Sequence, residues 1–199
     1  MTTTSRPVTY SYISPGVVNI TDATGATTQI RFTSTGQIQS IEDALDNLTQ
    51  FSYDANDYLS QIAAPGNSIS KFSYDAQGRL LSQTDPLNQT VSFTYTGNLD
   101  APTKVTDQKG QVTQYNYNTY GELSGIIYAN GSSETFSYDL SGNLAQAKER
   151  SGDTFQYTYD STGKVTRKTF DDGTFESYTY NTNGDITAIT KGTSTISLG

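Results

Sequence analysis

An aromatic residue returns at nearly fixed spacing along the whole of this 199-residue chain. The anchors are Tyr12, Phe32, Tyr53, Tyr74, Tyr95, Tyr117, Tyr138, Tyr159 and Tyr180, at intervals of 20, 21, 21, 21, 22, 21, 21 and 21 residues. A period this regular marks a repeat architecture and outweighs any expectation drawn from length. Residues 1–199 therefore read as a single array.

The motif around each anchor is short. Tyr74 is followed by Asp75, then Gly78 at +4 and Leu80 at +6. The same pattern runs through Tyr138-Asp139 with Gly142, Tyr159-Asp160 with Gly163, Tyr180 with Gly184 and Tyr117 with Gly121. The Tyr53-Asp54 copy places Asp57 where the others have glycine. An Asp just after the anchor bonds a backbone N–H two residues on, which closes a turn. A glycine at +4 supplies positive φ at little steric cost.

Strand signals flank this turn. The residue two before the anchor is bulky in every copy, from Tyr10 and Ile30 through Phe51, Phe72, Phe93, Tyr115, Phe136, Tyr157 and Tyr178. The residue between them is polar each time, for example Ser52, Ser73, Thr94, Ser137 and Thr158. Strict alternation predicts a half-buried strand, and aromatic residues and Thr suit it. The aliphatic at +6 opens a second strand. A second turn follows about fourteen residues after the anchor, as in Asn130-Gly131 and Asp172-Gly173. Such pairs are strong hairpin signals. The acidic stretch from Ile41 to Leu48 fills a strand-turn slot of the repeat, so we read it as strand and turn. The copy after Tyr95 lacks the +4 glycine and carries Pro102, which predicts a lengthened loop.

Two strands in each of nine copies make about eighteen strands, a sheet roughly 85 Å wide at ~4.8 Å per strand. Such a sheet does not stay flat: it closes into a barrel or winds as an open spiral. The expected class is all-β, tandem β-hairpins of about 21 residues in a curled spiral sheet. Apolar residues make up only 33% of the chain, which fits a thin structure.

Copies such as Phe72-Ser73-Tyr74-Asp75 with Gly78 and Leu80, and Phe136-Ser137-Tyr138-Asp139 with Gly142 and Leu144, resemble YD repeats, also called Rhs repeats. The resemblance covers nearly the whole chain. The family includes bacterial Rhs toxins, the B and C components of insecticidal toxin complexes, and teneurins. It implies a segment of a hollow β-shell whose partners are flanking shell repeats and an enclosed polypeptide. It also implies an exported, secreted or cell-surface parent. Toxin members end their shell with an aspartyl autoprotease motif, which Asp85-Pro86 does not match.

Chemistry is sparsely represented. The chain has no His and no Cys, which removes the commonest base, metal ligand and nucleophile. The adjacent pairs Glu42-Asp43 and Asp171-Asp172 read as solvated turn charge. No cofactor, phosphate loop or calcium loop is expected. With a net charge of −8 and an isoelectric point near 4.3, no nucleic-acid partner is expected. No apolar run approaches the length of a membrane helix. The sequons at Asn19, Asn47, Asn88 and Asn130 are common in a Ser/Thr-rich chain and carry no weight. The N-terminal Met1–Arg6 lacks the apolar core of a signal peptide, and the C-terminus stops inside what would be another strand, so the chain reads as a segment.

The leading expectation is a non-catalytic structural wall that encloses or presents another polypeptide. The alternative is a carbohydrate- or cell-surface-binding module using the aromatic ladders. Unpaired terminal strand edges also predict self-association.

Overall fold

A computed structural model describes residues 8–192 and 194–197. Met1–Arg6 and the last two residues, read above from sequence, lie outside them. The described residues form nineteen β-strands and one single-turn 3-10 helix, Pro65–Asn67. The strands are β1 (Thr9–Ser14), β2 (Val17–Thr21), β3 (Thr27–Phe32), β4 (Ile38–Glu42), β5 (Leu48–Tyr53), β6 (Leu59–Ala64), β7 (Ser68–Tyr74), β8 (Leu80–Thr84) and β9 (Thr90–Thr94). They continue with β10 (Lys104–Thr106), β11 (Val112–Tyr117), β12 (Leu123–Ile127), β13 (Ser133–Tyr138), β14 (Leu144–Lys148), β15 (Thr154–Tyr159), β16 (Val165–Thr169), β17 (Phe175–Tyr180), β18 (Ile186–Lys191) and β19 (Ser194–Ser197). The all-β hairpin expectation holds. The count exceeds eighteen because β19 opens a further hairpin arm after Tyr180.

The chain divides into two units. The first comprises residues 1–94 and 106–110; the second, residues 95–105 and 111–199. In the first, each strand from β1 to β9 pairs antiparallel with the next. In the second, β11 to β19 do the same. Each unit is thus an up-and-down meander built from neighbour-only pairings, the physics of a one-dimensional repeat.

Side chains alternate between two faces. In β5, β7 and β13 the anchor and the aromatic two before it are half-buried, and the intervening polar residues are exposed. The polar face carries Ser, Thr, Asn and Gln, some bonded across strands: Ser73 to Ser82 at 2.6 Å, Asn19 to Gln29 at 3.1 Å. Among the described residues the most enclosed side chains are Ala147 and Ser40, each 6% exposed, and no large side chain falls below 2%. No sealed core supports either unit. Stability must come from lateral contacts along the aromatic face, where cross-strand pairs contribute roughly 0.2–1 kcal/mol each.

The segment after Tyr95 is irregular through Thr103, and β10 is only three residues long. This matches the lengthened loop expected at Pro102.

Candidate functional site

The repeated turn after each anchor is the unit from which everything else is assembled. In the Tyr74 copy, the Gly78 N–H donates to the Asp75 carbonyl at 3.0 Å, and the Asp75 N–H to the Arg79 carbonyl at 3.0 Å. Gly78 has φ of 81°. This is a three-residue hairpin loop that ends on a left-handed residue, and it shifts the strand register by one. Tyr74 consequently faces Leu80, whereas Ser73 faces Ser82. The aliphatic at +6 is placed directly across from the anchor on the same face.

The Asp carboxylates hold this loop from inside. Asp54, Asp75, Asp139 and Asp160 each accept the N–H two residues on, at 2.9, 2.9, 2.8 and 2.8 Å. Each also accepts the N–H four residues on, at 3.0, 2.9, 2.9 and 3.1 Å. Burial pushes the Asp75 carboxyl up, but the Arg79 N–H, the Arg79 guanidinium and the Gln77 N–H outweigh it and hold the group below the usual aspartate value. The Asn143 side-chain amide, together with backbone donors, lowers Asp139, and the Thr162 hydroxyl does the same for Asp160.

The +4 residues share one conformation. Gly121, Gly142, Gly163 and Gly184 have φ of 83°, 81°, 82° and 95°, and Asp57 adopts 65°. Aspartate tolerates this region because its short side chain bonds locally.

Five of the tyrosine anchors then reach backward to the preceding copy. The hydroxyls of Tyr53, Tyr138, Tyr159 and Tyr180 donate to the carbonyls of Ile38, Leu123, Leu144 and Val165, at 2.8, 2.9, 2.8 and 2.7 Å. Each acceptor is the +6 aliphatic of the copy before. Tyr117 donates to the Pro102 carbonyl at 3.0 Å, so the irregular loop still supplies the acceptor. Tyr74 is placed against the Tyr58 ring, centroids 5.2 Å apart. Burial raises the phenol pKa of Tyr117, Tyr138 and Tyr159, with Tyr115 adding to the first, Glu122 to the second and Tyr157 to the third.

One position escaped the sequence reading: the residue at +5. In four copies its side chain bonds the +1 side chain of its own turn. Arg79 pairs with Asp75 at 2.7 Å, Asn118 with Glu122 at 2.7 Å, Asn143 with Asp139 at 3.0 Å and Asn181 with Asp185 at 2.9 Å. The same +5 side chain lies over the +4 residue of the next copy. A methyl group on Gly78 would sit 2.5 Å from the Tyr58 hydroxyl, one on Gly142 3.2 Å from Glu122 Oε1, and one on Gly184 3.2 Å from Lys164 Nζ. Gln37 donates to the Asp57 carbonyl at 2.9 Å in the same relation. Part of the signal was available as complementarity: in the Tyr74, Tyr138 and Tyr159 copies +1 is Asp and +5 is Arg, Asn or Lys, and in the Tyr117 and Tyr180 copies +1 is Asn and +5 is Glu or Asp, whereas the Tyr53 copy pairs Asp54 with Tyr58.

Within each unit the geometry brings together the anchor, +1, +4, +5 and +6 positions into a repeating staple. Glu42 ends β4 with Asp43 in the turn after it, and Asp171-Asp172 lie in the turn between β16 and β17. Among the described residues, no group of His, Asp or Glu side chains is arranged to hold a metal ion. No helix there is long and apolar enough to cross a membrane.

The chain is similar to known proteins. Residues 6–148 match the teneurin YD-shell family, and residues 138–174 match the RHS repeat. No curated protein sequence matches the chain. Among solved structures, the TcdB2-TccC3-Cdc42 complex aligns with TM-score 0.58 at 16% identity, over 83% of this chain and 12% of that one. TcdB2-TccC3 without its hypervariable C-terminal region aligns with TM-score 0.53 at 15% identity, over 90% and 12%. The Tc holotoxin pore of Photorhabdus luminescens, in a TccC3 mutant form, aligns with TM-score 0.51 at 14% identity, over 88% and 11%. At these identities the likeness is one of fold, and the chain spans about one-eighth of the length of those proteins. With its repeat matching over more than two-thirds of its length, this chain belongs to the teneurin YD-shell family.

Proposed function

We propose that the chain is a length of shell wall, a non-catalytic repeat array that joins flanking repeats edge to edge and helps enclose another polypeptide. The observation that carries this reading is the double staple between successive copies: the anchor hydroxyl on the preceding +6 carbonyl, and the +5 side chain over the following +4 residue. Both contacts act between neighbours and leave the two sheet faces uncovered, as a wall requires.

In this reading residues 1–199 act as one array, and the anchor, +1, +4 and +6 residues serve structure alone. The parent is exported or displayed at a cell surface, in keeping with the family resemblance. The similar toxin-complex structures cover far more chain than is present here, so the enclosed polypeptide belongs to the remainder of such a parent.

Small-angle scattering on the monomeric chain tests the wall. A compact globule of this length has a radius of gyration near ~16 Å. A wall segment gives a clearly larger value at monomer mass. A value near that of the globule, with mass confirmed by light scattering, would overturn the reading.

A further inference from the structure

The polar face of the second unit has a charge pattern unlike the rest of the molecule. The chain carries 20 acidic and 12 basic residues. On this face, the strand positions from β13 to β18 include Ser137, Gln146, Lys148, Gln156, Arg167 and Ser177, placed there by their cross-strand partners. No carboxylate occupies a strand position on it. The strand acids of this unit, Glu134 and Glu176, stand on the aromatic face, across from Ile126 and Lys168.

Arg167 is the centre of this face. Its guanidinium carbon lies over the Phe175 ring, 3.6 Å from the centroid. Among the described residues it has no ion-pair or hydrogen-bond partner. It borders an open depression of about 450 Å³ lined also by Gln146, Gln156, Thr158 and Thr169. Stacking fixes the plane of the guanidinium and leaves its N–H edge free. That edge is the part that grips a carboxylate with two parallel hydrogen bonds. Gln146 and Gln156, directly opposite one another, add amide donors beside it. Lys148 adds a second cation two residues further along β14 from Gln146, on the same face.

We infer that this face binds carboxylate side chains of an acidic, extended polypeptide, with Arg167 as the anchoring contact. Charge complementarity selects the partner: cations, amides and hydroxyls face it, and the strand acids of this unit, Glu134 and Glu176, stand on the opposite face. A run of Asp or Glu laid across β14 to β16 meets Lys148, the Gln146–Gln156 pair and Arg167 in succession. The inference goes beyond the wall reading and does not depend on it, since it concerns one face of one unit.

The test is calorimetric titration of the whole chain with capped hexaglutamate in low salt, beside capped hexaglutamine. Hexaglutamate is expected to bind and hexaglutamine not. Arg167→Gln is expected to weaken binding at least about tenfold, the scale of one lost charged bidentate contact. Arg167→Lys keeps the charge but loses the stacked fork, and it is expected to lie between. Lys148→Gln gives a smaller loss and serves as a second variant on the same face. Amide shifts confined to β14–β17 locate the site. Equal binding of the two peptides, unchanged affinity in Arg167→Gln, or shifts on other strands would overturn the assignment. Tighter binding of a sulfated hexasaccharide than of hexaglutamate would overturn the polypeptide as the occupant.

Discussion

The hydroxyl of Tyr58 lies across Gly78, twenty residues later, where a methyl group would meet it at 2.5 Å. Gly78 is thus constrained twice, by a φ of 81° and by a neighbour from the preceding copy. Gly78→Ala should cost about 1–2 kcal/mol from backbone strain alone, and Gly78→Val up to about 3 kcal/mol. The steric part belongs to the pair. In a Tyr58→Ala background, Gly78→Ala should therefore cost at least ~0.5 kcal/mol less than in the parent, a coupling read from denaturant melts. Strict additivity would remove the Tyr58–Gly78 contact from the staple.

Tyr159 holds the carbonyl of Leu144 at 2.8 Å. Tyr159→Phe deletes the donor and keeps the ring, so it isolates the bond. The expected loss is about 0.5–1.5 kcal/mol, towards the low end because the site is half-buried and water can replace the donor. An equal effect from Tyr12→Phe, whose side chain is 81% exposed, would show that the ring substitution itself is responsible.

Asp75 and Arg79 form one version of the +1/+5 pair, and Asn118 and Glu122 form its mirror in polarity. Asp75→Asn leaves an amide facing a guanidinium, two donors without an acceptor, and lowers the melting temperature. Adding Arg79→Glu restores the Asn–Glu arrangement found at Asn118 and Glu122, and recovers part of that loss. A double variant no more stable than the single one would mean that the pairing is incidental to the turn.

Stability should depend on pH at both extremes. Asp22, Asp43, Asp139, Asp160, Asp172 and Glu176 are held below their ordinary values chiefly by side-chain hydrogen bonds. Asp75 joins them through Arg79 and Gln77. A depressed carboxyl contributes stability that is complete above its unfolded value, about 4, and lost as pH falls through the folded values. Tyrosines behave oppositely. Burial and the Glu176 carboxylate push Tyr178 up to about 12, and burial raises Tyr138 and Tyr159. Their contribution is complete below about 10 and lost as pH rises through the folded values. Melting temperature should thus be level through the neutral range and fall on both sides. Glu176→Gln should flatten part of the acid limb, because Glu176 accepts from Tyr178 at 2.8 Å and Lys191 at 3.1 Å. An acid limb unchanged in that variant would remove Glu176 from the account.

Much of this architecture was legible because its causes are local. An Asp at +1 and a Gly at +4 close a turn through atoms four residues apart, so Asp75 and Gly78 announce the loop by themselves. The alternation of Phe72, Ser73 and Tyr74 fixes which face each strand buries. The staple was not legible in the same way. The +5 residue is Gln37, Tyr58, Glu122, Asn143 or Lys164 in different copies. What it does depends on lying over the next copy, a relation that only the register creates, and several side-chain types perform it equally well. Arg167 was missed for a related reason: Phe175 is eight residues away and comes beneath it only because β16 and β17 pair with Arg167 opposite Ser177.

Neighbour-only pairing makes a prediction about cutting the chain. Removing residues 174–199 deletes β17, β18 and β19, three of the nineteen strands. In a globule with a shared core this loss would unfold everything. In a meander stabilised by adjacent copies, the strands before β16 keep every pairing they had. The new edge, β16, carries Arg167 and Lys168, and charges on an edge resist pairing with a second molecule. Lys168 also keeps its place over the Phe155 ring, 4.0 Å from the centroid, although Glu176 is gone. The shortened chain should therefore remain folded and monomeric. Its denaturant m-value should fall by about one-sixth, in proportion to the surface removed. Collapse of the cooperative transition, or an m-value lowered far beyond that fraction, would mean that β17–β19 stabilise strands they do not touch, and the one-dimensional account of this unit would be wrong.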